Sequence, residues 1–432
     1  MSILKSFSKF FLQIVEGSPS KFGEGTSLLW NGCSISLLNQ FVSGFFKFKQ
    51  NFDSASNHPY VMDGGRVFFF ESARTSLFWV LRVNGFCSKD EIIVSSFTCD
   101  AVTAAILEIG AVPVYVDINT DLTMDSRSLL SAINERTKCV IVQNTFGRLG
   151  LSLEFIDMLR TRGLLVVEDC ALAFGSLING KPLGSFGDVS IFSLEVSKTV
   201  TIGWGGILRI NDDRQFDLVD GIYGSLNRVS LIQDIRRLCQ LYFSVTLRSK
   251  KIILGGAIWY LLYGLKIFRR SNESMRSSFL RAPRLGRLSQ RLFCFLEPDL
   301  ALCFHKTNLN FKRLSQFSAS LGLGAIVVED SCEFVVSPRF SLFIRPDVKS
   351  DLLVYAKMIG VEIGGWFTEC PPKASLADCR VQGSATAEYV GGNIINLPCH
   401  WGLAEADLKR IEQVLLFLSC HAESDYECQQ AR

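Results

Sequence analysis

Apolar and polar positions along the middle of the chain follow two alternating rhythms. Short apolar runs closed by Gly, Asp, Asn or Ser fall at 67–70, 90–95, 111–117, 137–144, 164–169, 189–194 and 207–210. Runs of that length and boundary chemistry read as buried strands. Between them lie helical patterns, one opening after Ser72 and one over 101–109. Strand and helix thus alternate at the spacing of βαβ units, which predicts an α/β fold with a mainly parallel sheet flanked by helices. A second, shorter set follows: a strand at 340–345, a helix over 347–358 closed by Gly360, a strand at 393–398 and a helix over 403–418. At 432 residues the chain has room for two domains or more. The pattern divides it into an N-terminal segment (1–60), a large domain (61–215), a helical connecting region (216–311) and a small C-terminal α/β domain (312–432).

Candidate chemistry gathers at two successive strand ends. The run at 164–167 closes on Glu168 and Asp169, and the next run carries Ser193, with Lys198 five residues further on. Open α/β sheets keep their ligands at strand ends. A pyridine-type cofactor needs an anion at its ring nitrogen, a lysine for its aldehyde and donors for its phosphate. Asp169, Lys198 and Ser193 are the right types for those roles. The same three types occur together in most long segments, so by themselves they favour the ordinary reading over a cofactor site.

The order and spacing of the surrounding residues go further. Glu168-Asp169-Cys170-Ala171, Gly175, Gly184-Ser185-Phe186-Gly187-Asp188, Phe192-Ser193, Lys198 and Gly205-Gly206 resemble the core signature of the DegT/DnrJ/StrS family. Its members are pyridoxal-phosphate-dependent sugar aminotransferases of the aspartate-aminotransferase fold, fold type I. The resemblance implies that Asp169 pairs with the pyridinium nitrogen, Ser193 binds the phosphate and Lys198 forms the Schiff base, with Lys198 and Asp169 catalytic. Ala73-Arg74 takes the place of the family's glycine-containing phosphate turn; the bland alternative there is a helix N-cap by Ser72. Cys99 follows Thr98 where many relatives stack an aromatic residue on the cofactor ring, and Leu172 stands where a glutamine or histidine usually reaches the cofactor or substrate. Dehydratase relatives replace the lysine by histidine, so Lys198 implies transamination. The segment 361–367, ending in Trp366-Phe367, resembles the part of the family that faces the substrate sugar.

The implied reaction is amino transfer from an amino acid, glutamate above all, to a keto group on a nucleotide-linked sugar, in a homodimer, for surface-polysaccharide or related amino-sugar synthesis. The alternative is a weakened or non-catalytic relative that serves as a membrane-associated scaffold subunit. Composition adds limits. A net charge of +3 speaks against nucleic acid as the partner. Fourteen cysteines without a Cys-x-x-Cys pair, and four histidines, fit a reduced cytoplasmic protein without a metal site. Residues 5–15 have the pattern of a short amphipathic helix rather than a signal peptide. The uncharged stretch 252–265, flanked by Lys250, Lys251, Lys266, Arg269 and Arg270, reads either as a buried helix or as a peripheral membrane contact.

Overall fold

The computed structural model describes residues 66–196, 198–247, 283–296, 299–323, 333–373 and 378–422, together with Ile258, Leu261, Leu262, Gly264 and Leu265. The N-terminal segment with its helix pattern at 5–15, and most of 252–265, lie outside the described residues.

The first half builds one sheet and its cover. In chain order the elements are β1 (Arg66–Phe70), α1 (Ala73–Val83), β2 (Glu91–Ser95), α2 (Asp100–Glu108), β3 (Val112–Val116), α3 (Ser126–Ala132), β4 (Thr137–Gln143), α4 (Leu153–Thr161) and β5 (Leu165–Asp169). A small hairpin, β6 (Leu177–Ile178) and β7 (Lys181–Pro182), precedes β8 (Val189–Ser193) and β9 (Gly206–Ile210). Each predicted strand of this half is present, shifted by a residue or two at its ends. The helices start where capping chemistry starts them. Ser72 Oγ takes the Thr75 N–H at α1, and Asp125 takes those of Arg127 and Ser128 at α3.

Eight strands form the large sheet, in the order β1-β9-β8-β5-β4-β2-β3-β11. Six neighbours from β8 to β11 are mutually parallel, while β9 runs antiparallel to both β8 and β1. Parallel strands covered on both faces should be apolar at successive positions rather than alternate ones. Ile92, Ile93 and Val94 of β2 are accordingly all buried. One face packs Ile93, Val140 and Val166 against Leu129, Ile156 and Leu159 of α3 and α4. The other packs Ile92, Val167 and Leu208 against Leu77 and Leu81 of α1 and Ile106 of α2.

The second half continues with α5 (Asp213–Tyr223), α6 (Leu231–Leu247), α7 (Arg287–Leu296) and α8 (Leu300–Ser320). Then come β10 (Arg339–Phe343), α9 (Pro346–Met358), β11 (Arg380–Val381), α10 (Ala385–Asn393), β12 (Ile394–Pro398) and α11 (Glu405–Ala422). Strands β10 and β12 pair antiparallel, and Phe340, Leu342, Ile395 and Leu397 form a separate core with Leu352 of α9 and Leu415 of α11. Gly360 ends α9 at φ 74, where the Val361 N–H bonds back to Ala356 O. The two units interlock. The short β11 returns to the large sheet beside β3, and Asp117, just past β3, accepts the Thr386 and Ala387 N–H groups at the start of α10. No described helix is long and apolar enough to cross a membrane.

Candidate active site

The two carboxylates that close β5 point opposite ways, as neighbours on a strand must. Glu168 turns inward and is fully buried. Its oxygens accept from Asn144 Nδ2 (2.9 Å) and from the backbone N–H groups of Gly184 (3.0 Å), Phe186 (2.7 Å) and Gly187 (2.7 Å). Four donors on one carboxylate make it a staple for the 184–188 loop. Asp188 closes the loop from the other end, accepting from Val166 N at 2.8 Å. Gly187 is required by this packing, because a Cβ there would sit 2.8 Å from Val166 O. The Gly-Ser-Phe-Gly-Asp motif is therefore a clamp that sets the end of β5.

Asp169 turns toward the cleft. Its Oδ1 accepts the Ala171 N–H at 3.0 Å. Burial raises its pKa, while that N–H and the Lys198 ammonium pull the other way. Cys99, the N-cap of α2, feels the same group of charges. Burial pushes its thiol up, against the Ala101 N–H and Lys198, with Glu195 and Asp169 adding to the rise. Asp169 and Cys99, at the C-terminal ends of β5 and β2, are thus both within electrostatic reach of Lys198, which follows β8. Beneath them, Thr98 Oγ1 donates to Gln143 Oε1 (2.7 Å), and Gln143 Nε2 donates to Phe97 O (2.9 Å) and Thr145 Oγ1 (2.8 Å). This buried network ties the ends of β2 and β4 together.

Ser193 ends β8 beside Gly206, and Gly206 pairs in turn with Phe70 at the end of β1. The antiparallel β9 therefore brings Ser193 alongside the chain that enters α1. Contact there is close: a Cβ on Gly206 would lie 2.2 Å from Ala73 N. Ala73 and Arg74 open α1, and a helix start directs its first N–H groups outward. Backbone dipole, two small residues and a serine hydroxyl form a cradle that suits a phosphate. Ser72 is the N-cap of that helix, the bland alternative at this position.

Leu172 takes another direction. It is buried in an apolar cluster with Phe97, Ile118, Phe146, Cys370 and Ile394, which joins the large sheet to the second unit. Its hydrocarbon packs there, where a polar side chain would lack partners.

From the small unit, Trp366 reaches over the site. Lys198 Nζ lies 4.9 Å from its ring centroid, and the Arg339 guanidinium lies 3.9 Å from the same centroid. The Trp366 backbone N–H donates to Asn396 Oδ1 on β12 at 2.7 Å. Gly364 makes room for the arginine, since a Cβ there would come within 2.8 Å of Arg339 Nη1. The sequence pointed to Trp366 but not to Arg339, which sits one residue ahead of a predicted strand with no motif around it. Among the described residues, no group of His, Cys, Asp and Glu side chains converges as metal ligands would.

Part of the chain is similar to known proteins. Residues 62–223 match the DegT/DnrJ/EryC1/StrS aminotransferase family. The GDP-perosamine synthase of Vibrio cholerae is 38% identical over 130 residues, 30% of this chain and 35% of that protein. The GDP-perosamine synthase of Caulobacter vibrioides is 26% identical over 361 residues, 79% of this chain and 84% of that protein. The chain thus spans about a third of the length of the first of these relatives. Among solved structures, the E. coli GDP-4-keto-6-deoxy-D-mannose-3-dehydratase with bound hydrated PLP superposes with a TM-score of 0.65. That match has 16% identity and covers 91% of this chain and 99% of the other, a likeness of fold. The architecture expected from the sequence, a large mainly parallel sheet with a smaller C-terminal α/β unit, is the architecture found.

Proposed function

We propose that the protein, whose residues 62–223 match the DegT/DnrJ/EryC1/StrS aminotransferase family, transfers an amino group from an amino acid, glutamate above all, to a keto group on a nucleotide-linked sugar, with pyridoxal phosphate as cofactor. The observation that carries this reading is the convergence of Asp169 and Lys198 beside the cradle made by Ser193, Gly206 and the start of α1. The residues fit the group. A buried carboxylate gains from a cationic N–H partner, and a glycine-lined helix start gains from an anion. When bound, pyridoxal phosphate supplies a protonated ring that accepts electron density from an adjacent carbon.

Each residue then has a defined task. Asp169 keeps a ring nitrogen protonated, and its burial makes that pairing the favoured way to stay ionised. The Ser193 hydroxyl and the first N–H groups of α1 hold the phosphate. Lys198 Nζ is the attachment point for the aldehyde. Once the donor displaces it, Nζ is the base that moves the proton at the donor Cα. Trp366 presents a π face to that ammonium and closes the cleft against water. Cys99 stays protonated and serves as a neutral wall. The names of the GDP-perosamine synthases support the nucleotide-sugar acceptor. A homodimer serving surface-polysaccharide synthesis completes the reading.

Borohydride reduction of the cofactor-loaded protein, followed by peptide mapping, tests it. The pyridoxyl label is expected on Lys198. A label on the exposed Lys181 of β7 instead would overturn the assignment. No label at all would favour the scaffold alternative.

A further inference from the structure

The two paired strands of the small unit sort their side chains by face. Phe340 and Leu342 of β10, with Ile395 and Leu397 of β12, point into the small-unit core. The alternate positions leave on the opposite face. There Ser341 stands directly across from Asn396, and Arg339 lies two residues before Ser341. Asn396 is only 1% exposed and Ser341 5%. Polar side chains this deep cost free energy unless each is paired.

The Asn396 amide is paired at both ends. Its Nδ2 donates to Ser341 Oγ at 2.8 Å, and its Oδ1 accepts the Trp366 backbone N–H at 2.7 Å. A backbone N–H can only donate, which fixes the end of the amide that faces Trp366. Strand pairing does not account for this side chain. Gly364 already exchanges two backbone bonds with Asn396, at 2.9 Å and 2.8 Å, and those need no side chain at 396. Trp366 lies two residues beyond that bridge, and its N–H goes to the amide instead. Two glycines, Gly364 and Gly365, lead into it, so the backbone there allows several placements of the ring unless something holds it. Arg339, on the same face of the ladder, has its guanidinium 3.9 Å from the Trp366 ring centroid, and Lys198 Nζ lies 4.9 Å from that centroid.

We propose that Asn396, oriented by Ser341, is a positioning residue: it sets the backbone at Trp366 so that the indole lies against both Arg339 and Lys198. One face of the β10–β12 ladder then holds the tryptophan at two points, Asn396 at its backbone and Arg339 at its ring. Without the Asn396 oxygen, the segment keeps its anchor at Gly364 and loses the one at Trp366. The ring no longer has a single place beside the lysine, and Lys198 Nζ loses its cover on that side. On the proposed function Lys198 is the reacting amine, so the same displacement loosens the substrate side of the cleft; this consequence alone rests on that reading.

The first test needs neither cofactor nor substrate. The full chain is acetylated with limiting acetic anhydride, and acetylation of Lys198 is quantified by peptide mass against the exposed Lys181. Asn396→Leu, close in volume but without an acceptor, should raise the Lys198 rate about threefold relative to Lys181, as Trp366→Ala should. Asn396→Asp keeps an acceptor for Trp366, and the Ser341 hydroxyl can turn to donate to it, so this variant should react at the parent rate. Adding Asn396→Leu to Trp366→Ala should change the rate by less than about twofold, because both remove one contact. In the loaded enzyme, Asn396→Leu should raise KM with little change in kcat, and Asn396→Asp should restore it. The proposal is overturned if folded Asn396→Leu leaves Lys198 at the parent rate, if Asn396→Asp reacts as fast as Asn396→Leu, or if the leucine and Trp366→Ala effects add in full. Should Asn396→Leu fail to fold, Ser341→Ala, which frees the amide to turn, should raise the rate in the same direction, and an unchanged rate there overturns the proposal. A protein that covers Lys198 in this way yet transfers no amino group upholds the role of Asn396 and overturns the proposed function.

Discussion

The two sides of the cleft are built on different physics. On the large-sheet side, side chains are held by backbone groups. Glu168 takes three backbone N–H groups besides Asn144, and Asp188 takes Val166 N. A strand end fixed in this way leaves Asp169, the last residue of β5, little freedom. On the other side, the contacts are rings and a guanidinium: Arg339 and Lys198 against Trp366, and Phe367 edge-on to Phe97 at 5.2 Å. Such contacts tolerate adjustment. On the proposed function, we read this difference as chemistry on the sheet side and choice of substrate on the small unit.

That division can be broken at its strongest point first. Lys198→Ala should lower turnover by about 10⁴-fold or more, since it removes both the attachment point and the base. Single-turnover assays measure this, and loss of the borohydride label should accompany it. Asp169→Asn should cost about 10³-fold while cofactor stays bound, because a neutral amide cannot hold a ring nitrogen protonated. A loss below about tenfold, or about 1.4 kcal/mol of barrier, would show that the carboxylate has some other task.

On the small-unit side the largest effect should be on stability. His400 is buried, and burial lowers its pKa to about 4, with Arg339 adding to the fall and Asp407 opposing it. The unfolded chain regains the ordinary value of about 6.5, so between the two the unfolded state binds more protons. Stability contributed by the neutral ring is complete above pH 6.5 and is lost as pH falls from there toward 4. The loss is about 3 kcal/mol in all, measurable as urea midpoints across that window. His400→Asn should flatten the slope. Smallest of all, Trp366→Ala should raise KM by about five- to tenfold with less change in kcat, the worth of one cation–π shelf. If kcat falls instead and KM holds, Trp366 belongs with the chemistry and the division fails.

What the sequence showed and what it hid follow the range of the forces involved. Strands β2 and β5 were legible because continuous apolar runs are local signals, and the loop at 184–188 because its glycines stand at a fixed spacing. Arg339 was not legible: its position depends on Gly364 and Trp366, more than twenty residues away, and no local period encodes that contact. Leu172 was read against a polar position, yet its surroundings are set by Cys370 and Ile394 from the far end of the chain. The return of β11 to the large sheet was equally hidden, since two residues are too short to form a pattern.

The antiparallel β9 also governs how the molecule is made. Arg66 to Phe70, with three phenylalanines in a row, is the first described strand to leave the ribosome, yet its partners are Gly206 to Ile210. At about 5–20 residues per second, that strand waits on the order of ten seconds for its neighbour. Throughout that interval a sticky apolar ribbon has both of its backbone edges open to other chains. The same reversal of direction that carries Ser193 to the start of α1 therefore leaves the nascent chain holding an unpaired apolar strand until β9 has been made.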